Sequence, residues 1–276
     1  MPTDVDLARA LTVARRAVSA AAEASLKHFR RGVAVETKPD RTPVTAADRE
    51  AEAAIVAVIR DAFPDHGILG EESGAHATGS TCRWIVDPLD GTRGFSRGGF
   101  FWGPLVALEQ QGEIVVGAMA LPVLGETYWA AKGQGAFRDG ERLHVSGIAD
   151  WREATVSFGE LGRLLEPPYQ DGVGELARTA ASARCYGDLA GAVLVLTGRA
   201  EAWIECGVKV WDVAPVKILV EEAGGRFTDM AGTGSVESGH AVATNGRVHD
   251  HVLRTLRAGT SLPAPRSGAL PTPPRT

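Results

Sequence analysis

The run Trp84-Ile85-Val86-Asp87-Pro88-Leu89-Asp90-Gly91-Thr92 constrains this chain more than any other. A short apolar strand leads into two carboxylates three positions apart, with a proline between them and a Gly-Thr turn behind. Pro88 fixes its own φ and restrains Asp87 before it. Two acidic side chains therefore project from one rigid turn toward a common point. Like charges held that close repel unless a cation lies between them, and oxygen-only ligands select a hard cation such as Mg²⁺. The Gly91 and Thr92 backbone N–H groups and the threonine hydroxyl stand beside it, as a phosphate ester requires. An ordinary Asp/Pro/Gly turn accounts for any two of these residues but not for the whole set.

Two further segments give the motif a context. Gly70-Glu71-Glu72-Ser73-Gly74 follows the apolar Ile68-Leu69, which puts two glutamates at a strand end or turn. Val210-Trp211-Asp212-Val213-Ala214 opens a helical pattern that closes at Gly224-Gly225, so Asp212 stands at or near a helix N-terminus. Taken alone, Asp212 reads as an N-cap and the glutamates as a solvated turn. Their order along the chain favours chemistry.

In these segments, together with Glu221-Ala223-Gly224-Gly225, the chain resembles the inositol monophosphatase family of Mg²⁺-dependent, lithium-sensitive phosphomonoesterases. The likeness runs from about residue 5 to residue 257. It implies an α+β fold, a layered α-β-α-β-α sandwich with the metal site between its sheets. It also implies that Glu71, Asp87 and the Leu89 carbonyl oxygen hold one metal, and Asp87, Asp90 and Asp212 a second. Thr92, paired with Glu71, would orient the attacking water, and the Gly91 and Thr92 amides would receive the phosphate. The segment Lys38 to Asp48 corresponds to a mobile loop over the site, from which Asp48 reaches a further, weakly held metal. Thr45-x-x-Asp48 is also a capping box opening an amphipathic helix, and the two roles are compatible. Two or three Mg²⁺ ions per subunit, Mn²⁺ as a substitute, inhibition by Li⁺ and a homodimer are implied in the same way.

The chemistry of such a site is largely electrostatic. A phosphate monoester dianion repels an anionic nucleophile, and divalent ions offset that charge, acidify a water and stabilise the leaving alkoxide. The protein positions and neutralises. The three cysteines form no C-x-x-C motif to suggest covalent catalysis.

With 276 residues, 44% hydrophobic and 23% charged, the chain is long enough for a large core in one or two domains. A net charge of −5 without a lysine or arginine cluster excludes a nucleic-acid polymer as partner. Cys82, Cys185 and Cys206 are scattered, odd in number and without metal spacing, which suits a reducing cytoplasm. No signal peptide and no apolar run of membrane-spanning length is expected.

Periodicity predicts a first helix over 4–30, with Leu7, Leu11, Ala14, Val18, Ala22 and Leu26 on one face, and an extended Val33–Thr37. A second helix over 46–63 carries Ala51, Ile55, Val58 and Ile59. Strand-like segments near 101–109, 112–121, 125–132 and 135–145 read as an antiparallel meander. Helix, strand, helix, strand and helix then fall near 187–198, 200–205, 212–223, 226–229 with 240–244, and 246–257. The expected organisation is an α+β half over 1–150, bearing the main metal motif, and an α/β half over 151–258, bearing the specificity segment and Asp212. The Pro-, Ser- and Thr-rich 259–276 is expected to be a disordered tail.

Substrate choice rests on Arg184-Cys185-Tyr186-Gly187-Asp188, which opens a helix leading to Glu205. Within the family, Tyr-Gly-Asp resembles the histidinol-phosphate phosphatase branch, as do Lys38-Pro39-Asp40 and Ala243-Thr244-Asn245-Gly246. Arg184, Asp188, Glu205 and Asp212 are the candidate substrate contacts. Asp188 and Glu205 suit the ammonium of an amino alcohol phosphate, although Asp188 also reads as a cap on its own helix. Arg93-Gly94-Phe95-Ser96-Arg97-Gly98 departs from that branch between its ends. An inositol phosphate, a nucleotide or a sugar phosphate therefore stays open. All seven histidines read as structural or solvated, and Trp102, Trp129 and Trp203 as core residues in strands. A catalytically weak metal-binding regulator is the second functional class, disfavoured by carboxylates at every metal-ligand position.

Overall fold

The computed structural model describes residues 5–32, 34–37 and 43–258. The first elements are α1 (Leu7–Leu26), β1 (Glu36–Thr37), β2 (Pro43–Val44), α2 (Ala46–Ala62), β3 (Gly67–Gly70), β4 (Gly74–His76), β5 (Cys82–Asp90) and α3 (Thr92–Ser96). The meander follows as β6 (Gly103–Gln110), β7 (Glu113–Leu121), β8 (Glu126–Ala131), β9 (Gly135–Arg138) and β10 (Glu141–Arg142). The remainder is β11 (Thr155–Phe158), α4 (Leu161–Leu164), α5 (Gln170–Thr179), β12 (Ser182–Arg184), α6 (Asp188–Leu196), β13 (Ala202–Cys206), α7 (Val210–Glu222), β14 (Arg226–Thr228), β15 (His240–Thr244) and α8 (His249–Ala258). The expected tail and the Lys38–Thr42 part of the expected loop lie outside the described residues, as does Val33.

Five layers alternate. Helices α1 and α2 cover one face of an eight-stranded sheet ordered β10-β9-β8-β7-β6-β5-β3-β4. Its other face packs on α6 and α7, which also meet Trp203, Phe227, Ala241 and Ala243 of the second sheet. That five-stranded sheet, ordered β12-β11-β13-β15-β14, is covered on its far side by α5 and α8. The chain is thus the expected α-β-α-β-α sandwich of the α+β class. Because α6 and α7 are sandwiched, they bury apolar residues on more than one side, as all-round apolar helices must.

Local differences have physical reasons. The first helix begins at Leu7 because Asp6 caps it, its carboxylate accepting the Ala8 and Arg9 N–H groups at 3.0 and 3.1 Å. Its buried face is centred on Ala10, Ala14, Ala17 and Ala21, while Leu26 is exposed. Small residues let α1 lie close to α2 and the sheet, and the leucine stripe is left at the flank. The central motif is a bulge inside one long strand rather than a turn after a short one. Pairing of β5 with β6 slips between Asp87 and Asp90, at the proline that cannot donate to the ladder. Trp102 precedes β6 instead of lying in it, and packs with Phe95 and Leu89 in a small core of its own.

Candidate active site

The bulge turns the end of β5 outward. Asp87 is buried, and its carboxylate accepts the Leu89 N–H at 2.9 Å, which fixes its rotamer. Gly91, at φ +80°, makes the tight passage from β5 into α3, and a Cβ there would lie 2.8 Å from the Phe101 carbonyl oxygen. Asp212 stands at the third position of α7, not at its cap, and accepts the Lys209 N–H at 2.7 Å. One oxygen from each of Asp87, Asp90 and Asp212 lies within 4.8 Å of the others. Among the described residues this is the one cluster with the spacing of a cation site.

Its electrostatics are unfavourable as they stand. Burial pushes Asp87 well above the usual carboxylate range, and Glu71, Asp90 and Asp212 push it further. Burial raises Asp90 in the same way, reinforced by Asp188 and Asp212, although the Leu189 N–H at 2.6 Å opposes it. Burial also pushes Asp212 up to about 7, against the Lys209 N–H and with the help of Glu71. A divalent cation relieves this repulsion, and the donor set is all oxygen, so the residues present fit Mg²⁺.

A cavity of about 200 Å³ lies over the cluster, lined by Glu71, Leu89, Gly91 and Thr92 besides the three aspartates. Glu71 sits on the turn just after β3, its N–H bonded to the Val86 carbonyl of β5. The Thr92 hydroxyl lies 3.1 Å from Asp48 Oδ1 and 3.0 Å from the Leu89 carbonyl oxygen. The hydroxyl thus has two acceptors in reach, one on α2 and one on β5. Asp48 forms the expected capping box, its other oxygen accepting the Thr45 N–H and hydroxyl at 2.7 and 2.6 Å. It is buried behind Thr92 and does not line the cavity.

A second cavity of about 140 Å³ adjoins the first through Asp90, Arg93, Asp188 and Asp212. Glu205 forms its buried floor and accepts the Asp188 N–H at 3.0 Å. Burial holds Glu205 well above the carboxylate range, and Asp188 adds to it. Asp188 opens α6 in a left-handed conformation, φ +54°, without capping it by its side chain. Desolvation in the cleft, then Glu160, raises its pKa, and Arg93 opposes them. Arg184 is not brought here. It is exposed on the edge strand β12, its guanidinium bonded to the Ala183 carbonyl.

Sequence reasoning missed Arg93, Glu160 and Arg163, all of which line the second cavity. Arg93 was discoverable as the residue directly after the Gly-Thr turn. Glu160 and Arg163 belong to the short α4 region, whose pattern carries no signal. None of the seven histidines lines either cavity. Trp129 and Trp203 are buried in β8 and β13 as expected, and Trp203 also backs the second cavity.

A carboxylate triad at the end of a bulged strand, with Asp87 buried and Asp90 and Asp212 half-buried, roofed by a cavity with amide and hydroxyl donors, is the architecture of a metal-assisted phosphatase. The inositol monophosphatase family profile matches residues 6–261. The chain is 42% identical to a histidinol-phosphatase of Mycobacterium tuberculosis, over 82% of this chain and 88% of that protein. It is likewise 42% identical to a histidinol-phosphatase of Chlorobaculum parvum, over 92% and 97%. The crystal structure of the extragenic suppressor protein SuhB from Bartonella henselae superposes with a TM-score of 0.85 at 28% identity, covering 91% of this chain and 99% of that one. The chain belongs to the inositol monophosphatase family. It is a phosphoric monoester hydrolase.

Proposed function

We propose that the protein is a Mg²⁺-dependent phosphatase that hydrolyses histidinol phosphate to histidinol and phosphate. The observation that carries the substrate is the second cavity, where Asp188, Glu160 and the buried Glu205 converge beside the carboxylate triad. An amino alcohol phosphate meets them with an ammonium group, through hydrogen-bonded ion pairs that a neutral polyol cannot form. Two relatives named histidinol-phosphatase support the same reading.

Glu71, Asp87, the Leu89 carbonyl, Asp90 and Asp212 are the proposed metal ligands. Held there, Mg²⁺ supplies charge neutralisation for the phosphoryl oxygens and the departing alkoxide, and lowers the pKa of a water. The residues do the rest. With its proton directed to Asp48 or to the Leu89 carbonyl oxygen, the Thr92 oxygen keeps lone pairs free to accept a hydrogen bond from the attacking water. Glu71, facing the same cavity, takes that water's proton. The Gly91 and Thr92 N–H groups receive the phosphoryl oxygens. Arg184 is kept as a proposed substrate contact on the family likeness alone. That likeness also supports two or three ions per subunit, with Mn²⁺ as a substitute and Li⁺ as an inhibitor.

Exposed Phe100, Phe101 and Tyr186 form an apolar patch, with the Phe101 and Tyr186 rings 6.0 Å apart, which supports a homodimer. Three free cysteines and the lack, among the described residues, of a helix able to cross a membrane support a cytoplasmic location. Arg93 and Arg163 in the second cavity favour one alternative, a leaving group with its own anion, such as a nucleoside bisphosphate.

A phosphate-release screen over histidinol phosphate, inositol phosphates, nucleoside monophosphates and 3′,5′-bisphosphates tests this. Histidinol phosphate should have the highest kcat/KM, and chelation of Mg²⁺ should abolish it. Preference for a bisphosphate would move the substrate to the alternative.

A further inference from the structure

We infer that Glu52 is a positioning residue for the metal site: it clamps the turn that carries Glu71 and so sets the affinity for the cation. The inference rests on the proposal that Glu71 is a metal ligand.

Glu52 lies on α2 and is only 4% exposed. A buried carboxylate is costly unless its oxygens are engaged. Here Oε2 accepts the Glu72 N–H at 2.8 Å and Oε1 accepts the Ser73 N–H at 2.7 Å. Both donors belong to the turn between β3 and β4, and Glu71 is the residue just before them. The preceding Gly70 completes the seat, since a Cβ there would come within 2.8 Å of the Glu52 carboxylate carbon and both its oxygens. On its other side the turn is held by the Glu71 N–H on the Val86 carbonyl, one residue before Asp87. Glu71 is thereby held between α2 and the strand that bears Asp87.

The same helix performs a second task one turn earlier. Asp48 precedes Glu52 by four residues, which places both on one face of α2. Asp48 receives the Thr92 hydroxyl, and Glu52 receives the Glu71 turn. Helix α2 is therefore a rigid bar between two groups that approach the cavity from different loops. A cation site needs its oxygens held to a fraction of an ångström, and a turn tied by its backbone to a buried carboxylate meets that need.

A matched control exists elsewhere in the fold. Glu222, at the end of α7, also accepts two backbone N–H groups, those of Gly133 and Gly135, both at 2.7 Å. It ties α7 to the β8–β9 turn, and does not line either cavity. Glu52→Gln and Glu222→Gln each replace a double acceptor by a group with one acceptor and one donor end. Both should lower Tm. Only Glu52→Gln should weaken Mg²⁺ binding, raising the calorimetric Kd of the substrate-free protein by roughly tenfold, about 1.4 kcal/mol. Gly70→Ala approaches the clamp from the other side and should weaken binding in the same sense, which keeps the inference testable if Glu52→Gln fails to fold.

Wild-type Kd for Mg²⁺ in whichever of Glu52→Gln and Gly70→Ala folds overturns the role of Glu52 and leaves the metal proposal standing. Equal weakening in Glu222→Gln also overturns it, because the effect would then be general loosening. A wild-type protein that binds no Mg²⁺ overturns the metal proposal, and this inference with it.

Discussion

Two buried polar clusters in this molecule are built on opposite principles. At the end of β5, Asp87, Asp90 and Asp212 are crowded together, and burial, then nearby carboxylates, raise all three. Against the five-stranded sheet, His249 at the start of α8 is fully buried between Thr228 and Thr244, with Nε2 3.0 Å and Nδ1 2.9 Å from their hydroxyl oxygens. Thr228 directs its own proton to the Asp229 carbonyl, and Thr244 Oγ1 accepts the Gly246 N–H. That pattern assigns the ring proton to Nε2 and satisfies both nitrogens of a neutral imidazole. Nearby, Glu201 accepts the Ser146 hydroxyl and the Thr155 N–H, and Asn245 in turn bonds Ser146. One cluster keeps a charge imbalance for a ligand to relieve. The other meets its polar atoms with hydrogen bonds from within the protein, and it serves the fold.

The largest expected effect is at Asp90. Asp90→Asn keeps the shape but removes one negative charge from the triad, so kcat at saturating Mg²⁺ should fall at least ~10²-fold. In the metal-free protein Tm should stay level or rise, because one repulsive charge is gone. Near-wild-type turnover would show that Asp90 does not belong to the metal set.

At His249 the expected response is to pH and appears in stability alone. Burial holds the folded-state pKa at about 4, below the ordinary value of 6.5. The neutral form is favoured in the fold, so this contribution is fully present above pH 6.5 and is lost as pH falls toward 4. At pH 4.5 the loss amounts to about 2–3 kcal/mol relative to pH 7.5. Replacing His249 by Gln should lower stability at pH 7.5 and flatten this acid slope, as read from denaturant unfolding at the two pH values. An unchanged slope would sink the assignment of a buried, neutral imidazole.

Asp188→Asn sharpens the contrast inside the substrate site. It should lower kcat/KM for histidinol phosphate roughly tenfold, about 1.4 kcal/mol, and leave a non-cationic ester almost untouched. Equal losses on both substrates would make Asp188 a scaffold residue.

The smallest expected effect belongs to Glu160, which holds φ +46° without being glycine. Glu160→Gly should raise stability by about 1 kcal/mol by removing that strain. It should also lower kcat/KM for a cationic ester a few-fold. A stability gain without any change in selectivity would remove Glu160 from the substrate contacts.

Elements with strong local patterning were readable in the chain, and the others were not. The meander from β6 to β10 is marked by Gly, Pro and Asp at each turn, and each strand pairs with the next. By contrast, β11 and β12 span only Thr155–Phe158 and Ser182–Arg184, too short for alternation to register. Helix α5 contains Gly172 and Gly174, which argue against a helix. Gly172 is there because α8 packs against it, a Cβ coming within 2.6 Å of the Thr255 carbonyl oxygen. Local propensity is outweighed by one tertiary contact.

The amino-acid sequence by itself determined the closely spaced Asp87 and Asp90 carboxylates, the Gly91 passage and the capping box at Asp48. Each depends on residues within a few positions of one another, where covalent geometry and local hydrogen bonds dominate. Only the tertiary structure decided that Asp212 meets Asp87 and Asp90 from more than a hundred residues away. It also decided that Thr92 turns to Asp48, that Glu52 seats the Glu71 turn, and that Glu160 and Arg163 enter the second cavity. Those choices follow from how two sheets and the helices between them exclude water, and buried charge takes its partners from whatever that packing brings near.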